Sequence, residues 1–196
     1  MSDRRDRRRR QILAAAKEVF AQKGYVATTV DDIVTRIEIS RGTFYNYYDD
    51  KLDIFEALVE SFMAALATSI IPIDLSPGAP TPREQLQANL KRVVELALND
   101  PAMVTISLST AMGVDPGLDE KLSVFYGHLR VFMDETLQTG QQLGLVRPGD
   151  RGPMLSIALG GMEGLLIDAV SGSVDADADE LVEAVMSFLE SGLLGR

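Results

Sequence analysis

The chain contains no cysteine and no tryptophan, and His128 is its only histidine. Without cysteine it can form neither a disulfide framework nor a thiolate zinc site, and it has no cysteine nucleophile. One histidine cannot assemble a histidine-rich metal site, and a Ser/His/Asp triad would depend on His128 alone. We also find no glycine-rich phosphate loop and no nucleophile elbow. The sequence therefore predicts no catalytic residue, no metal ion and no cofactor.

Long apolar segments are also missing. The nearest approach to a run of about 18 apolar residues is the stretch 61–73, which is too short and too mixed. The first eleven residues are rich in arginine, and no apolar stretch typical of a secretory signal follows them. We therefore expect a cytoplasmic protein that makes no membrane contact.

Basic residues are scarce overall and unevenly placed. The 196 residues carry 19 Lys and Arg against 29 Asp and Glu, a net charge of −10 that argues against a polyanionic partner. Residues 1–54 nevertheless hold eleven basic and nine acidic residues, a net charge of +2. The other eight basic and twenty acidic residues give residues 55–196 a net charge of −12. This asymmetry indicates two regions with different partners, although a basic run such as residues 4–10 can also be a solvated arm.

Apolar residues recur throughout at spacings of three and four, without the alternation typical of strands. With 46% apolar and 24% charged residues, the composition is that of a globular protein. Caps, glycines and prolines then divide the chain into an all-α fold of about nine helices. The predicted spans are 9–23, 30–37, 41–47, 51–66, 83–99, 101–112, 116–143, 152–170 and 178–194.

Residues 29–51 contain the most informative pattern, two short helices joined by a three-residue turn. This is the spacing of a helix-turn-helix motif, whose second helix enters the major groove of DNA. Ser40 is placed to cap that second helix, and Gly42 lets the backbone approach a groove closely. Arg41 can reach guanine acceptors, and Thr43 a thymine methyl or a phosphate. Phe44 and Tyr48 are predicted to face inward, which leaves residues 45–47 facing outward with hydroxyls suited to phosphate oxygens.

These residues resemble the bacterial tetracycline-repressor (TetR) family of transcriptional regulators. The resemblance covers about the first quarter of the chain and rests on Arg10–Ala16, Phe20, Gly24–Tyr25, Thr28–Thr29, Asp32–Ile33, Ser40–Tyr48 and Asp50–Lys51. It implies an all-helical homodimer with an N-terminal DNA-binding domain, residues 1–54, and a ligand-binding and dimerisation domain, residues 55–196. It also implies DNA contacts by Thr29, Arg41, Thr43, Tyr45, Tyr47 and Lys51. The complete predicted contact set adds Arg8, Arg9, Thr28, Ser40, Gly42 and Asn46.

Glu38 departs from the family pattern, because the turn usually holds a small residue there, often glycine. A left-handed conformation would cost a glutamate about 1 kcal/mol. We favour a slightly different turn in which Glu38 points into solvent.

Several apolar residues with a few hydroxyls among them follow in the C-terminal region, a composition that can line a pocket for a small molecule. The alternative, that they are plain core, stays open. The residue His128 can be a ligand contact or a half-exposed side chain. The predicted ligand-binding set is Met63, Met103, Ile106, Ser107, Thr110, Phe125, Tyr126, Leu129, Met133 and Met162.

Small residues recur every four positions in the predicted 152–170 helix, at Ser156, Gly160 and Gly164. Such a row lets a second helix approach closely. The family resemblance implies that the last two long helices pair across a dimer axis, although close packing within one subunit would explain the row too. The predicted dimer contact comprises Ser156, Gly160, Gly164, Leu165, Asp168, Leu181, Val185, Phe188 and Leu189.

The leading hypothesis is a ligand-responsive transcriptional repressor, not an enzyme, that binds a palindromic double-stranded DNA operator as a homodimer. A small apolar or amphipathic effector would release it by favouring a second state with weaker DNA affinity. The alternatives are a small helical enzyme acting on an apolar substrate, or a ligand-binding or interaction protein without DNA binding.

Overall fold

The computed structural model describes residues 2–108 and 116–192, in which nine α-helices follow one another. This confirms the all-α prediction. The helices are α1 (Ser2–Lys23), α2 (Val30–Arg36), α3 (Arg41–Tyr45), α4 (Lys51–Ser69), α5 (Pro82–Asn99), α6 (Pro101–Leu108), α7 (Pro116–Gln142), α8 (Arg151–Ser171) and α9 (Ala178–Gly192).

The largest difference from the predicted spans is at α1, which begins at Ser2 and not near Arg9. The arginine run is thus the first turns of α1, and the expectation of a separate basic arm is corrected. Arginine is a good helix former, and residues 2–10 contain no glycine or proline to interrupt the helix. Apolar periodicity could not reveal this extension, because residues 4–10 include no apolar side chain.

Several of the described helices begin at side-chain caps that the sequence makes recognisable, among them α2, α3 and α5. Thr29 and Asp32 form a capping box at α2, with Thr29 N–H donating to Asp32 Oδ2 at 2.9 Å and Asp32 N–H donating to Thr29 Oγ1 at 3.2 Å. Ser40 Oγ accepts from Thr43 N–H at the start of α3, as predicted. Thr81 and Glu84 repeat the capping box at α5. Each cap satisfies backbone N–H groups that the first helical turn leaves without acceptors.

A first compact unit comprises Met1–Ala64 and Pro101–Ser123. In it α1 packs against α2 and α6, and α2 packs against α3. Its buried core includes Ile12, Phe20, Ile33 and Phe55. This unit reaches beyond residue 54 and takes in part of the region assigned to ligand binding, so the predicted functional division at 54/55 stays a prediction.

A second compact unit comprises Ala65–Asp100 and Val124–Arg196, and in it α5 packs against α8 and α9. One buried cluster joins Val94 of α5 to Leu181, Val182 and Met186 of α9. A second buried cluster comprises Leu137, Val146, Met154 and Leu155. Ion pairs add to the α5–α9 contact, with Lys91 Nζ 2.5 Å from Asp179 Oδ1 and Arg83 Nε 2.5 Å from Glu190 Oε1.

The helix α8 is long and apolar enough to cross a membrane by length and composition. Apolar helices of soluble proteins pass the same test, so the observation is weak evidence for a span. The expectation that the chain has no segment long and apolar enough to span a membrane is nevertheless corrected by α8. Glycine and serine interrupt its apolar residues, but they lower the mean hydropathy of the helix only slightly. Only 17% of the apolar window is buried in the chain, so most of α8 has no covering layer within its own subunit.

Candidate nucleic-acid interface

The inner side of the helix-turn-helix formed by α2 and α3 is packed with buried apolar side chains. Ile33 and Val34 of α2 are buried, and so are Phe44 and Tyr48 at and after α3. The rings of Phe44 and Tyr48 lie 6.3 Å apart between centroids. The prediction that Phe44 and Tyr48 face inward is therefore confirmed, and the rest of α3 is free to face outward.

The outward side of α3 is polar. Ser40, Arg41, Gly42 and Asn46 are exposed, and Tyr45 is 52% exposed. Thr43 and Tyr47 are half-buried, and Thr43 Oγ1 lies 2.9 Å from Ser40 Oγ. A Cβ added at Gly42 would meet only Ser40 Oγ, at 3.8 Å, so packing within the chain does not require glycine there. Because glycine has no side chain, a partner can approach the backbone closely at Gly42.

Glu38 adopts the left-handed conformation, with φ of +53°, so the expectation of a different turn is wrong. The turn is a Schellman motif: Ile39 N–H donates to Val34 O at 3.0 Å, and Glu38 N–H donates to Thr35 O at 3.3 Å. These bonds satisfy the last carbonyls of α2 and fix the conformation that glycine usually supplies. The side chain of Glu38 is exposed, as expected.

The predicted set of DNA-contacting residues is wrong at Thr28. Its side chain is 1% exposed, and its hydroxyl donates to Gly24 O at 2.8 Å. A buried threonine cannot contact DNA through its side chain, so we remove it from the set. Thr29, its neighbour, is exposed.

The ammonium of Lys51, at the start of α4, is directed at backbone carbonyls. It donates to Tyr25 O at 2.9 Å, Val26 O at 3.2 Å and Thr28 O at 3.0 Å, and it lies 4.4 Å from the ring centroid of Tyr25. An ammonium has three protons, and all three have acceptors here. Lys51 therefore ties the loop between α1 and α2 to α4, whatever contact with DNA it makes besides.

Arg9 also makes a contact within the chain. Its Nε donates to the Tyr48 hydroxyl at 3.2 Å, and its guanidinium carbon lies 5.6 Å from the ring centroid. This hydrogen bond raises the pKa of Arg9, while burial raises the pKa of Tyr48. On another face of α1, Arg4, Arg7, Arg8 and Gln11 line a shallow polar depression. These arginines lie three and four positions apart, so they form one basic stripe along the helix.

Arg41, the first residue of α3, forms a two-point ion pair with Asp31 of α2. Its Nε donates to Asp31 Oδ1 at 2.5 Å, and its Nη2 donates to Asp31 Oδ2. Both side chains are more than half exposed. The hydrogen bond lowers the pKa of Asp31 and raises that of Arg41, so both groups are charged at neutral pH. The sequence had singled out Arg41 but not Asp31, ten positions earlier.

Comparison with known proteins identifies this region. Residues 12–58 match the family described as bacterial regulatory proteins, tetR family. A regulator from Syntrophomonas wolfei, described as TetR-family, is 25% identical, with a TM-score of 0.77 over 95% of both chains. Residues 12–58 are an N-terminal domain of the tetR family.

Other relatives agree with this assignment. The transcriptional activator FasR of Mycolicibacterium smegmatis is 35% identical over 66 residues, which are 34% of this chain and 30% of FasR. The chain thus spans less than a third of the length of the first curated relatives it matches. The transcriptional regulator FadR of Bacillus subtilis, solved in complex with stearoyl-CoA, shares the fold at 22% identity, with a TM-score of 0.75 over 93% of this chain and 97% of FadR.

The predicted ligand-binding residues do not fall in one unit. Met103, Ile106 and Ser107 are buried in the first unit, where Met63 is half-buried. The second unit holds four half-buried members of the set, which are Tyr126, Leu129, Met133 and Met162. Thr110 and the side chain of Phe125 lie outside the described residues. His128 is exposed. The ligand-binding set stays a prediction.

Glu163 of α8 is a polar residue in this second unit that the sequence pattern did not single out. It is half-buried, and burial raises the pKa of its carboxyl. Tyr126 of α7 lies near enough that burial and the charge of Glu163 together raise its pKa to about 12. The sequence signal that could have identified Glu163 is that it is the only acidic residue within the mainly apolar stretch 152–167.

The predicted dimer-contact residues divide between outward and inward faces. Ser156, Gly160, Gly164, Asp168 and Phe188 are exposed, and Leu165 and Val185 are half-buried. Leu181 and Leu189 are only 2% and 8% exposed within their own chain, so we remove them from the contact. Ile157 belongs with the outward set instead, since it is 59% exposed. Apart from the neighbouring residues of α8 itself, no described atom lies within 4 Å of a Cβ added at Gly160, Gly161 or Gly164, so packing against other helices of the chain does not account for the glycines.

Proposed function

We propose that the protein is a ligand-responsive transcriptional regulator, a repressor that binds a palindromic operator as a homodimer and is released by a small apolar or amphipathic effector. The observation that carries the proposal is the helix-turn-helix within residues 12–58. There a buried core presents Arg41, Tyr45 and Asn46 on one polar face. Side chains of these types suit guanine, phosphate and adenine respectively.

The homodimer is supported by the outward faces of α8 and α9. Ile157 of α8 and Phe188 of α9 are large apolar side chains that are more than half exposed, and an added Cβ at Gly160, Gly161 or Gly164 of α8 would meet open space. A second copy of the chain would bury this surface. Two recognition helices about 34–36 Å apart would then meet successive major grooves of one palindromic site.

The effector is supported by half-buried apolar residues beside a few polar groups in the second unit. Solved proteins of the same fold hold stearoyl-CoA and choline, so the fold accommodates ligands of different chemistry. An effector releases DNA only as far as it binds the low-affinity state more tightly than the DNA-bound state.

The sign of regulation is proposed to be repression. DhaR, of which this chain covers 70% at 23% identity, and BepR are named repressors, whereas FasR is named an activator. A reporter placed behind the selected operator decides between them. Expression should fall when the protein is present, and a rise would reverse the sign without affecting the DNA-binding proposal.

The central experiment is selection of DNA sites from a random pool by the purified protein, followed by binding measurements at several salt concentrations. We expect a palindromic site and an affinity that falls steeply with salt. Asn46→Ala should weaken binding to the selected site by about 10-fold. Asn99→Ala, at another exposed asparagine at the end of α5, is the matched control and should have no effect. Absence of sequence-selective binding at every salt concentration would overturn the proposal.

A further inference from the structure

Among the residues that the structure describes, ion pairs link α1, α2 and α3, and one of these pairs differs from the others in the helices that it joins. Glu18–Arg36 and Lys23–Asp32 join α1 to α2 and include no residue of α3. Asp31–Arg41 joins α2 to the first residue of α3, on the face proposed to meet DNA. Exposed ion pairs add little to stability, so stability alone is a weak reason to place a carboxylate where phosphates must approach.

The geometry of the Asp31–Arg41 pair leaves half of the guanidinium available. Asp31 accepts from Nε and Nη2, which form the side edge of the planar group. The end edge, made by Nη1 and the second proton of Nη2, donates to no group within residues 2–108 and 116–192. That end edge is a fork of two parallel N–H donors, which matches the O6 and N7 acceptors of guanine.

An arginine without this partner would hold the same fork in many orientations. Its long side chain has many rotamers, and that conformational entropy is lost when the fork is fixed on a base. Asp31 fixes the fork before DNA arrives and also neutralises the charge that would otherwise attract any phosphate. Both effects lower affinity for arbitrary DNA relative to a site with guanine at the right position.

We propose that Asp31 is a positioning residue for specificity, which holds the Arg41 side edge so that its end edge reads one guanine in each half-site. The inference rests on the proposed function. It adds the residue that orients Arg41 and the base that Arg41 recognises. Arg41 would contact the base, whereas Asp31 would act through Arg41.

The test compares Asp31→Ala with Glu18→Ala, its matched control, which removes another exposed acid from an ion pair with an arginine, Arg36, that is not part of α3. Each protein is measured on the selected site, on random duplex, and on the selected site with single guanines replaced by 7-deazaguanine, which lacks N7. Thermal melting of each variant, followed by circular dichroism, establishes that it is folded.

We expect wild-type protein to lose about 10-fold or more in affinity at one 7-deazaguanine position per half-site. Arg41→Ala should abolish that loss. Asp31→Ala should reduce it while binding random duplex more tightly, with a salt slope steeper by about one. Glu18→Ala should behave as wild type. The inference is overturned if Asp31→Ala loses as much affinity at the 7-deazaguanine position as the wild type does. It is also overturned if Glu18→Ala reduces that loss as much as Asp31→Ala does. Failure of wild-type protein to select any site would overturn the proposed function instead.

Discussion

At the scale of single residues, Glu38 carries a measurable conformational cost. A left-handed φ costs a residue with a Cβ roughly 1–2 kcal/mol, and Glu38 is held there by the Schellman motif. Glycine removes that cost but brings about 0.5–1 kcal/mol of extra chain entropy in the unfolded state. We therefore expect Glu38→Gly to raise the free energy of unfolding by about 0.5–1 kcal/mol, measured by urea denaturation.

Glu38→Gln separates conformation from charge at the same position. Glutamine keeps the Cβ and its strained φ but removes the anion, so the free energy of unfolding should stay near the wild-type value. Equal stabilisation by Glu38→Gln and Glu38→Gly would show that the cost is electrostatic and not conformational.

Glu163 makes the stability of the fold depend on pH. Burial raises the pKa of its carboxyl in the folded chain, so the folded state holds the proton more tightly than the unfolded state does. The resulting stabilisation is complete below the unfolded pKa and is lost as the pH rises through the folded pKa. We expect Glu163→Gln to raise Tm by about 1–3 °C at pH 7 and to have little effect near pH 4. Glu183→Gln, at an exposed glutamate of α9, should change neither value; a gain for Glu163→Gln that is equal at both pH values would contradict the explanation.

At the scale of helices, the capping box of α5 should contribute to stability independently of any DNA contact. Thr81 Oγ1 accepts from Glu84 N–H at 3.3 Å, and Glu84 accepts in return from Thr81 N–H at 2.7 Å. Thr81→Ala should cost about 1 kcal/mol and lower Tm by about 2–4 °C. Thr139→Ala removes an exposed threonine from the last turn of α7, far from any helix start, and should change stability by less than about 0.5 kcal/mol. Equal losses would show that the cap contributes nothing specific.

The helices were largely predictable because their signals are local. Apolar spacing, Ser40 and Thr29 as caps, and glycine or proline breaks all act within a few residues of the helix ends. The start of α1 was not found, because helix propensity alone extends a segment that has no apolar stripe. The outward face of α9 was assigned incorrectly at Leu181 and Leu189, because the apolar side of that helix is broad and only its packing against α5 selects the inner positions.

The candidate site was predictable only where one short segment supplies it. The side chains of residues 40–47 follow from the motif, and the core positions Phe44 and Tyr48 follow from their spacing of four. The partners of Arg41 and Lys51 lie 10 to 26 positions away, so the fold and not the local pattern brings them together. Ligand-binding residues depend on contacts between helices far apart in sequence, which is why their prediction stays untested.

At the scale of the whole molecule, the outward face of α8 makes the dimer testable by a matched pair of substitutions. Gly164 and Gly127 are both helical, and an added Cβ meets no described atom within 4 Å at either position. Tryptophan should therefore be tolerated within the subunit at both. Only Gly164 lies on the proposed contact, where overpacking costs about 1–3 kcal/mol and a two-fold interface applies that cost twice. We expect Gly164→Trp to raise the dimer dissociation constant at least about 30-fold.

Sedimentation equilibrium measures this directly, since one chain has a mass of 21.4 kDa and a dimer twice that. Gly127→Trp should keep the dimer mass, whereas Gly164→Trp should shift toward the single-chain mass as the protein is diluted. The same variant should lose affinity for a palindromic site but bind single half-sites as the wild-type monomer does, because each recognition helix is intact. An unchanged mass for Gly164→Trp would place the dimer contact elsewhere, and the exposed Ile157 and Phe188 would then need another partner to cover them.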